Sequence, residues 1–309
     1  MKFNMAEYVL QTHGISKSYG GHLVLNDVNM NVERGDIYGF VGENGSGKTT
    51  VIRCIAGLIR PNAGTFELFG VPNTSKDIIG ARSKLGAIVE SPSIYLNMTA
   101  RENLLVLSMI LGIKDEDRIY KALQMVGLEH MYNDNKKAGN YSLGMRQRLG
   151  IAMALLSSAE FMVLDEPLNG LDPEGIVEIR NLILRLNQEF GITFLISSHI
   201  LTELSLVATK YGIISRGHII KEISKEELES TCKHSIVVEA ENKEELHQAL
   251  LTILTDEDME SLPTGYEIVK EIDYNQVLAA VSKVKITNIQ SKSTSIEDYY
   301  LEIIRGGRK

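Results

Sequence analysis

Apolar side chains gather into short solid runs at residues 37–41, 85–89, 161–164 and 193–196, each followed by a polar turn. Runs of this kind predict strands buried on both faces, the pattern of a parallel sheet. Between residues 8 and 36 the runs follow a period of two and are split by Gly and Asp, which predicts an antiparallel sheet beside the 37–41 strand. Helical spacing marks residues 50–56, 99–112, 115–126, 142–157 and 174–190, and a return strand is expected at 65–69. Thr99-Ala100-Arg101-Glu102 reads as a capping box, and Ser142 as an N-cap. The helices around 99–126 form an insert between sheet strands. Past residue 223 the elements shrink. A strand at 235–239 precedes an amphipathic helix at 244–253, with Leu246, Ala249, Leu250 and Ile253 on one face. Further elements are expected at 266–272, 276–284 and 285–290, and Ser295 caps a last helix through Ile304. The pattern predicts a large α/β domain over 1–222, with a helical insert about 95–158, and a small α/β domain over 223–309.

Composition narrows the partners. At 309 residues the chain can bury a sizeable core and split into two domains. A net charge of −8 argues against nucleic acid, which selects basic faces. Cys54 and Cys232 lie far apart, so neither a metal spacing nor a disulfide framework is expected, and a reducing cytosolic compartment fits. Residues 1–7 lack the apolar core of a signal peptide. The most apolar run, Ile151-Ala152-Met153-Ala154-Leu155-Leu156, is too short to span a bilayer, so a membrane role calls for a separate chain.

The candidate chemistry sits where the solid runs end. Gly42-Glu43-Asn44-Gly45-Ser46-Gly47-Lys48-Thr49, followed by Thr50, joins the first such strand to a helix. Its glycines let successive amide N–H groups point inward at the positive end of that helix, which suits a phosphate chain. Lys48 adds a mobile cation for the β and γ phosphates, and the Thr49 hydroxyl can ligate Mg²⁺. The 161–164 run ends on Asp165-Glu166, two carboxylates whose burial needs a cation nearby. In a phosphate-binding fold the first is expected near Mg²⁺ and the second near the attacking water. Glu90, after the 85–89 run, either enters solvent or stands beside the metal. His199, after the 193–196 run, is either a hydrogen-bonding bystander or a site residue. Tyr19 on the first turn is a half-buried loop tyrosine or a stacking platform for adenine, and Ser142 caps its helix or offers a second anion site. Together the glycine loop, Glu90, Asp165-Glu166 and His199 occupy the C-terminal ends of separate strands, where open α/β sheets bind ligands.

In order and spacing these motifs resemble the ATPase subunits of ABC transporters over roughly residues 5–222. The resemblance implies a P-loop NTPase (RecA-like) core with an antiparallel β subdomain and an α-helical insert, binding ATP and Mg²⁺. Tyr19 then looks like the adenine-stacking aromatic, Asp165 and Glu90 like metal ligands with Thr49, Glu166 like the general base, and His199 like the switch histidine on the γ phosphate. Ser142, Leu143, Gly144 and Met145 match the signature loop that caps the ATP of the opposite subunit, and Asp172 falls in the loop linking the two sites. Two such domains would sandwich two ATP molecules head to tail. Only one glycine loop is present, so the implied unit is a homodimer at the inner face of the cell membrane, held there by permease subunits encoded separately.

Two positions depart from the family pattern. Tyr141-Ser142-Leu143-Gly144-Met145 stands where Leu-Ser-Gly-Gly-Gln is usual, and Glu90 where glutamine is usual. Glu90 together with the run from Ser142 to Ala152 resembles the bacterial subgroup that exports bacitracin or lantibiotic-type peptides for self-protection. Appendages like residues 223–309 are associated there with dimerisation or regulation. A soluble ATPase of the same superfamily acting on ribosomes or DNA is the competing function, but such proteins carry tandem cassettes or long coiled coils, absent here. A P-loop kinase or GTPase leaves Ser142 and His199 unexplained, and the guanine-reading Asn-Lys-x-Asp run is missing.

Overall fold

The computed structural model describes residues 7–231, 234–270, 272–293 and 296–306, and the chain divides into two compact units, Met1–Lys225 and Glu226–Lys309. Cys232 and the expected cap Ser295 lie outside the described residues.

In the first unit two long strands, β1 (Tyr8–Tyr19) and β2 (His22–Glu33), pair antiparallel. Sequence pattern predicts shorter runs, because Gly14 and Asn26-Asp27 break the period of two. The structure absorbs both breaks as shifts of register, with φ 66 at Gly14 and φ 54 at Asp27. Their N–H groups donate to Asn29 Oδ1 at 2.8 Å and to Ser16 Oγ at 3.0 Å, so neither strand has to stop.

Next, β3 (Ile37–Val41) runs through the glycine loop into α1 (Lys48–Ile55). The helix starts two residues before the pattern predicts, since Gly47 at φ 111 turns the backbone directly into it. The strands β4 (Ala63–Leu68) and β5 (Val71–Pro72) complete an antiparallel sheet of order β2-β1-β4-β5. After α2 (Ile78–Arg82) and β6 (Leu85–Ile88), the helices α3 (Ala100–Ile110), α4 (Asp117–Met125) and α5 (Leu143–Leu155) stand ahead of β7 (Phe161–Asp165). The capping box forms as expected: the Glu102 N–H donates to Thr99 Oγ1 at 3.1 Å and the Thr99 N–H donates to Glu102 Oε2 at 2.7 Å. The unit closes with α6 (Pro173–Phe190), β8 (Thr193–Ser198), α7 (Leu201–Ser205), β9 (Lys210–Ser215) and β10 (His218–Ser224).

The second sheet has the order β10-β9-β3-β8-β7-β6. All neighbours are parallel except the antiparallel edge strand β10. Every residue of β3, β7 and β8 is buried, as solid apolar runs require. Val51, Ile52 and Ile55 of α1 share one core with Phe40, Phe161, Val163 and Leu195, each worth about 1.5–3 kcal/mol relative to exposure. That packing fixes the glycine loop against the sheet. Because β3, β8, β7 and β6 are adjacent and parallel, the segments that follow them emerge along one edge.

Past α8 (Lys225–Thr231), the second unit contains β11 (His234–Ala240), α9 (Lys243–Leu250), β12 (Met259–Ser261), β13 (Gly265–Ile268), α10 (Tyr274–Ala280), β14 (Ile286–Ser293) and α11 (Ile296–Gly306). Its sheet order, β12-β13-β11-β14, is that of a split βαβ sandwich, βαββαβ. Ile236, Val238 and Ala240 face Leu246, Leu250, Val277 and Val281 in a separate core. Ile253 departs from expectation at 37% exposure, because α9 ends at Leu250 and the helical period no longer applies. Leu254 fills the core instead at 5%.

Candidate functional site

The glycine loop has a shape that side chains would spoil. A Cβ at Gly42 would lie 2.4 Å from Ile214 O and 2.6 Å from Ser46 Oγ. Gly45 at φ 80 and Gly47 at φ 111 curl the loop back upon itself. Inside the curl, Ser46 is 5% exposed and its hydroxyl has no hydrogen-bond partner among the described residues. An orphaned donor beside the start of α1 is what a phosphate oxygen satisfies. Lys48, 6% exposed, folds into this space: Nζ donates to Gly42 O at 2.6 Å and Glu43 O at 3.3 Å, and lies 3.4 Å from Glu166 Oε1.

Glu166 connects the loop to the next two strands. Its backbone sits at φ 50, unusual for a non-glycine residue, directly after β7. The His199 Nδ1–H donates to Glu166 Oε2 at 2.8 Å, so the carboxylate bridges Lys48 and His199. Asn44, Gly45, Gly47, Lys48, Thr49, Thr50, Glu166 and His199 line one cavity of about 430 Å³. It is open and polar, and large enough for a triphosphate. Val24 and Asn169 complete the lining without any sequence signal that marks them. Glu203 shares a neighbouring cavity with Glu166 and His199. Burial pushes its carboxyl up from the usual range, opposed by the His199 charge and reinforced by Glu166.

Asp165, the last residue of β7, is 3% exposed and does not itself line this cavity. Among the described residues no Lys, Arg or His pairs with it, and the Ser197 hydroxyl donates to Oδ1 at 2.6 Å. A buried carboxylate without a cationic partner is costly, and with the Thr49 hydroxyl it would offer oxygen donors of the kind Mg²⁺ takes. Glu90, expected with them, stands elsewhere. Its carboxylate is 2.5 Å from Arg53 of α1, its side chain is 64% exposed, and it is not part of the cavity lining. Glu90 stands at φ 64, two residues past the end of β6. Tyr19 also stands outside the lining, 46% exposed at the tip of the β1–β2 hairpin with Lys17 Nζ 5.3 Å from its ring centre.

The remaining residues form a second cavity of about 530 Å³. Ser142, Leu143, Gly144 and Met145 line it with Asp172 and Gly175. The Ser142 hydroxyl accepts from Met145 N at 3.1 Å and Asp172 Oδ1 accepts from Gly175 N at 2.9 Å, so each caps a helix. The segment from Glu166 to Asp172 runs from one cavity to the other, with Glu166 and Asn169 on the first and Gly170 and Asp172 on the second. The structure also brings forward Ser197, which the sequence reading passes over. It becomes visible only through the parallel register that sets Ser197 opposite Asp165.

A mostly parallel sheet with a phosphate loop, a buried carboxylate and a Glu–His pair along one edge defines a P-loop nucleotide hydrolase. The profile of the ABC transporter family matches residues 25–169. Over 303 residues, 97% of this chain and 98% of the relative, the chain is 39% identical to the bacitracin transport ATP-binding protein BcrA of Bacillus licheniformis. It is 40% identical over 214 residues to the lantibiotic transport ATP-binding protein SrtF of Streptococcus pyogenes, covering 69% of this chain and 90% of that one. Among solved structures, a dimeric ATP-binding cassette in a post-hydrolysis state with ADP and Pi superposes with a TM-score of 0.61 at 25% identity, covering 70% of this chain and 98% of that one. The chain belongs to the ATP-binding subunits of ABC transporters. Its reaction is ATP hydrolysis coupled to transport, and these relatives favour that role over a ribosome- or DNA-acting ATPase. No helix among the described residues is long and apolar enough to cross a membrane.

Proposed function

We propose that this chain powers a separate membrane permease that exports a peptide antibiotic or a similar amphiphile, working as a homodimer that closes around two ATP molecules at the inner face of the membrane. The observation that carries the reading is the pairing of a cavity finished with Lys48, Glu166 and His199 and a second cavity, at Ser142 and Gly144, with an exposed rim. Relatives of near-full-length coverage that are named for bacitracin transport support the cargo class.

In this reading ATP lays its phosphates along Gly42–Thr50, and Lys48 leaves Gly42 O to reach the β and γ phosphates. Glu166, released from Lys48, orients the attacking water and accepts its proton. His199 meets the γ phosphate, and Tyr19 stacks on the adenine. Thr49 and Asp165 would hold Mg²⁺, which would supply charge neutralisation of the phosphates when bound. Glu90 joins them only by giving up Arg53. Ser142 and Gly144 of the second copy cap the γ phosphate, and Asp172 carries the state of one site toward the other.

The test is resistance. A strain lacking this chain should lose resistance to bacitracin or a lantibiotic, recover it with the wild-type chain and not with Lys48→Ala, and yield the chain co-purified with a polytopic membrane protein. Unchanged resistance across both peptide classes, with the chain recovered on ribosomes or DNA, rejects the proposal.

A further inference from the structure

We propose that Ser197 is a positioning residue that sets both site carboxylates with a single hydroxyl. The inference rests on the reading above, in which Asp165 holds the metal and Glu166 serves as base. Ser197 is 0% exposed and lies in β8 directly opposite Asp165 of β7. Its Oγ–H donates to Asp165 Oδ1 at 2.6 Å, and the same oxygen accepts the Glu166 N–H at 2.9 Å. The Ser197 carbonyl accepts that N–H as well, at 3.2 Å. One side chain therefore touches the side chain of one carboxylate residue and the backbone of the other.

Each contact answers a separate need. Asp165 is buried with no cationic side chain paired to it among the described residues, so the hydroxyl is the group that orients it. One hydrogen bond on Oδ1 fixes the carboxylate's orientation and leaves its remaining lone pairs for a cation. Glu166 leaves the strand at φ 50, a backbone state that persists only where the surroundings hold it. The two acceptors of Ser197 hold that N–H, and the turn they fix aims the Glu166 carboxylate at His199 and Lys48. A hydroxyl has one proton to give and lone pairs to receive, so serine does both at once. Valine or alanine could do neither. The adjacent Ser198 spends its hydroxyl differently, accepting from Ile200 N at 3.0 Å, which is a local turn.

The experiment compares Ser197→Thr with Ser197→Val, near-isosteres that differ by the hydroxyl, alongside Ser197→Ala, Asp165→Asn and Glu166→Gln. Three quantities are read on the full-length chain: fluorescent ATP binding in EDTA, the Mg²⁺ concentration that half-saturates the gain in that binding, and kcat for hydrolysis. Loss of a partner that orients a metal ligand costs about 10- to 100-fold in metal affinity or activity. Val and Ala should therefore raise the half-saturating Mg²⁺ by about tenfold and lower kcat, with binding in EDTA unchanged, while Thr stays near wild type. Equal behaviour of Val and Thr overturns the proposal, as does a loss of binding in EDTA, which marks general damage to the fold. Should the methyl of threonine unfold the chain, alanine decides alone, and an unchanged Mg²⁺ response overturns the proposal. Failure of the underlying reading shows separately: Asp165→Asn with a normal Mg²⁺ response removes the metal assignment, and Glu166→Gln with normal kcat removes the base.

Discussion

Lys48 and Ser142 both stand at the start of a helix beside glycines, yet their surroundings differ. Lys48 is 6% exposed and is engaged by two carbonyls of its own loop and by Glu166. Ser142 is exposed, Leu143 after it is 44% exposed, and among the described residues the serine hydroxyl serves its own helix cap. The first region is assembled from four segments of one chain. The second is an open cavity with an exposed rim. A helix N-terminus facing such a cavity stabilises an anion presented to it from elsewhere. The contrast sets a cradle around buried Lys48 against an exposed loop, and the proposed function joins them across two copies.

The comparison can be broken from the closed side first. Lys48→Ala should bring hydrolysis to background and remove ATP binding in a filter or fluorescence assay, since the proposed phosphate cradle loses the ammonium that lines it. Glu166→Gln should slow hydrolysis by about 100- to 10,000-fold while ATP still binds, the span expected for a general base. On the open side, Ser142→Ala should lower hydrolysis by about 100-fold, as for loss of one donor to developing charge. Its effect on the affinity of a single chain for ATP should be nil, and a weakened affinity would mean that the two cavities are not separate in function. The smallest effect belongs to Glu90→Gln. An exposed ion pair is worth little, so hydrolysis should stay within about fivefold of wild type. Total loss of activity there would give the Glu90 carboxylate a larger part than its pairing with Arg53 indicates.

Legibility followed the same division. The glycine loop and its strand and helix are contiguous in sequence, so their pattern alone placed them on one sheet edge with Asp165, Glu166 and His199. Solid apolar runs located β3, β7 and β8 because burial on both faces favours apolar side chains through most of each strand. Contacts that depend on register stayed hidden. Ser197 meets Asp165 only across β8 and β7, and Asn169 enters the cavity only through the path of the loop after Glu166. Glu90 shows the opposite limit, since its place after the 85–89 run left solvent and the metal both open, and its carboxylate stands 64% exposed against Arg53. The long hairpin of β1 and β2 was hidden as well, because side-chain hydrogen bonds at its bulges offset the residues that break the period.

The most direct test of the two-copy site is the mass in solution of the Glu166→Gln chain, read by light scattering with and without Mg·ATP. The account predicts one chain without nucleotide and two chains holding two ATP molecules with it, the doubling abolished by adding Ser142→Ala. ATP enclosed and retained by a species of single-chain mass would contradict it.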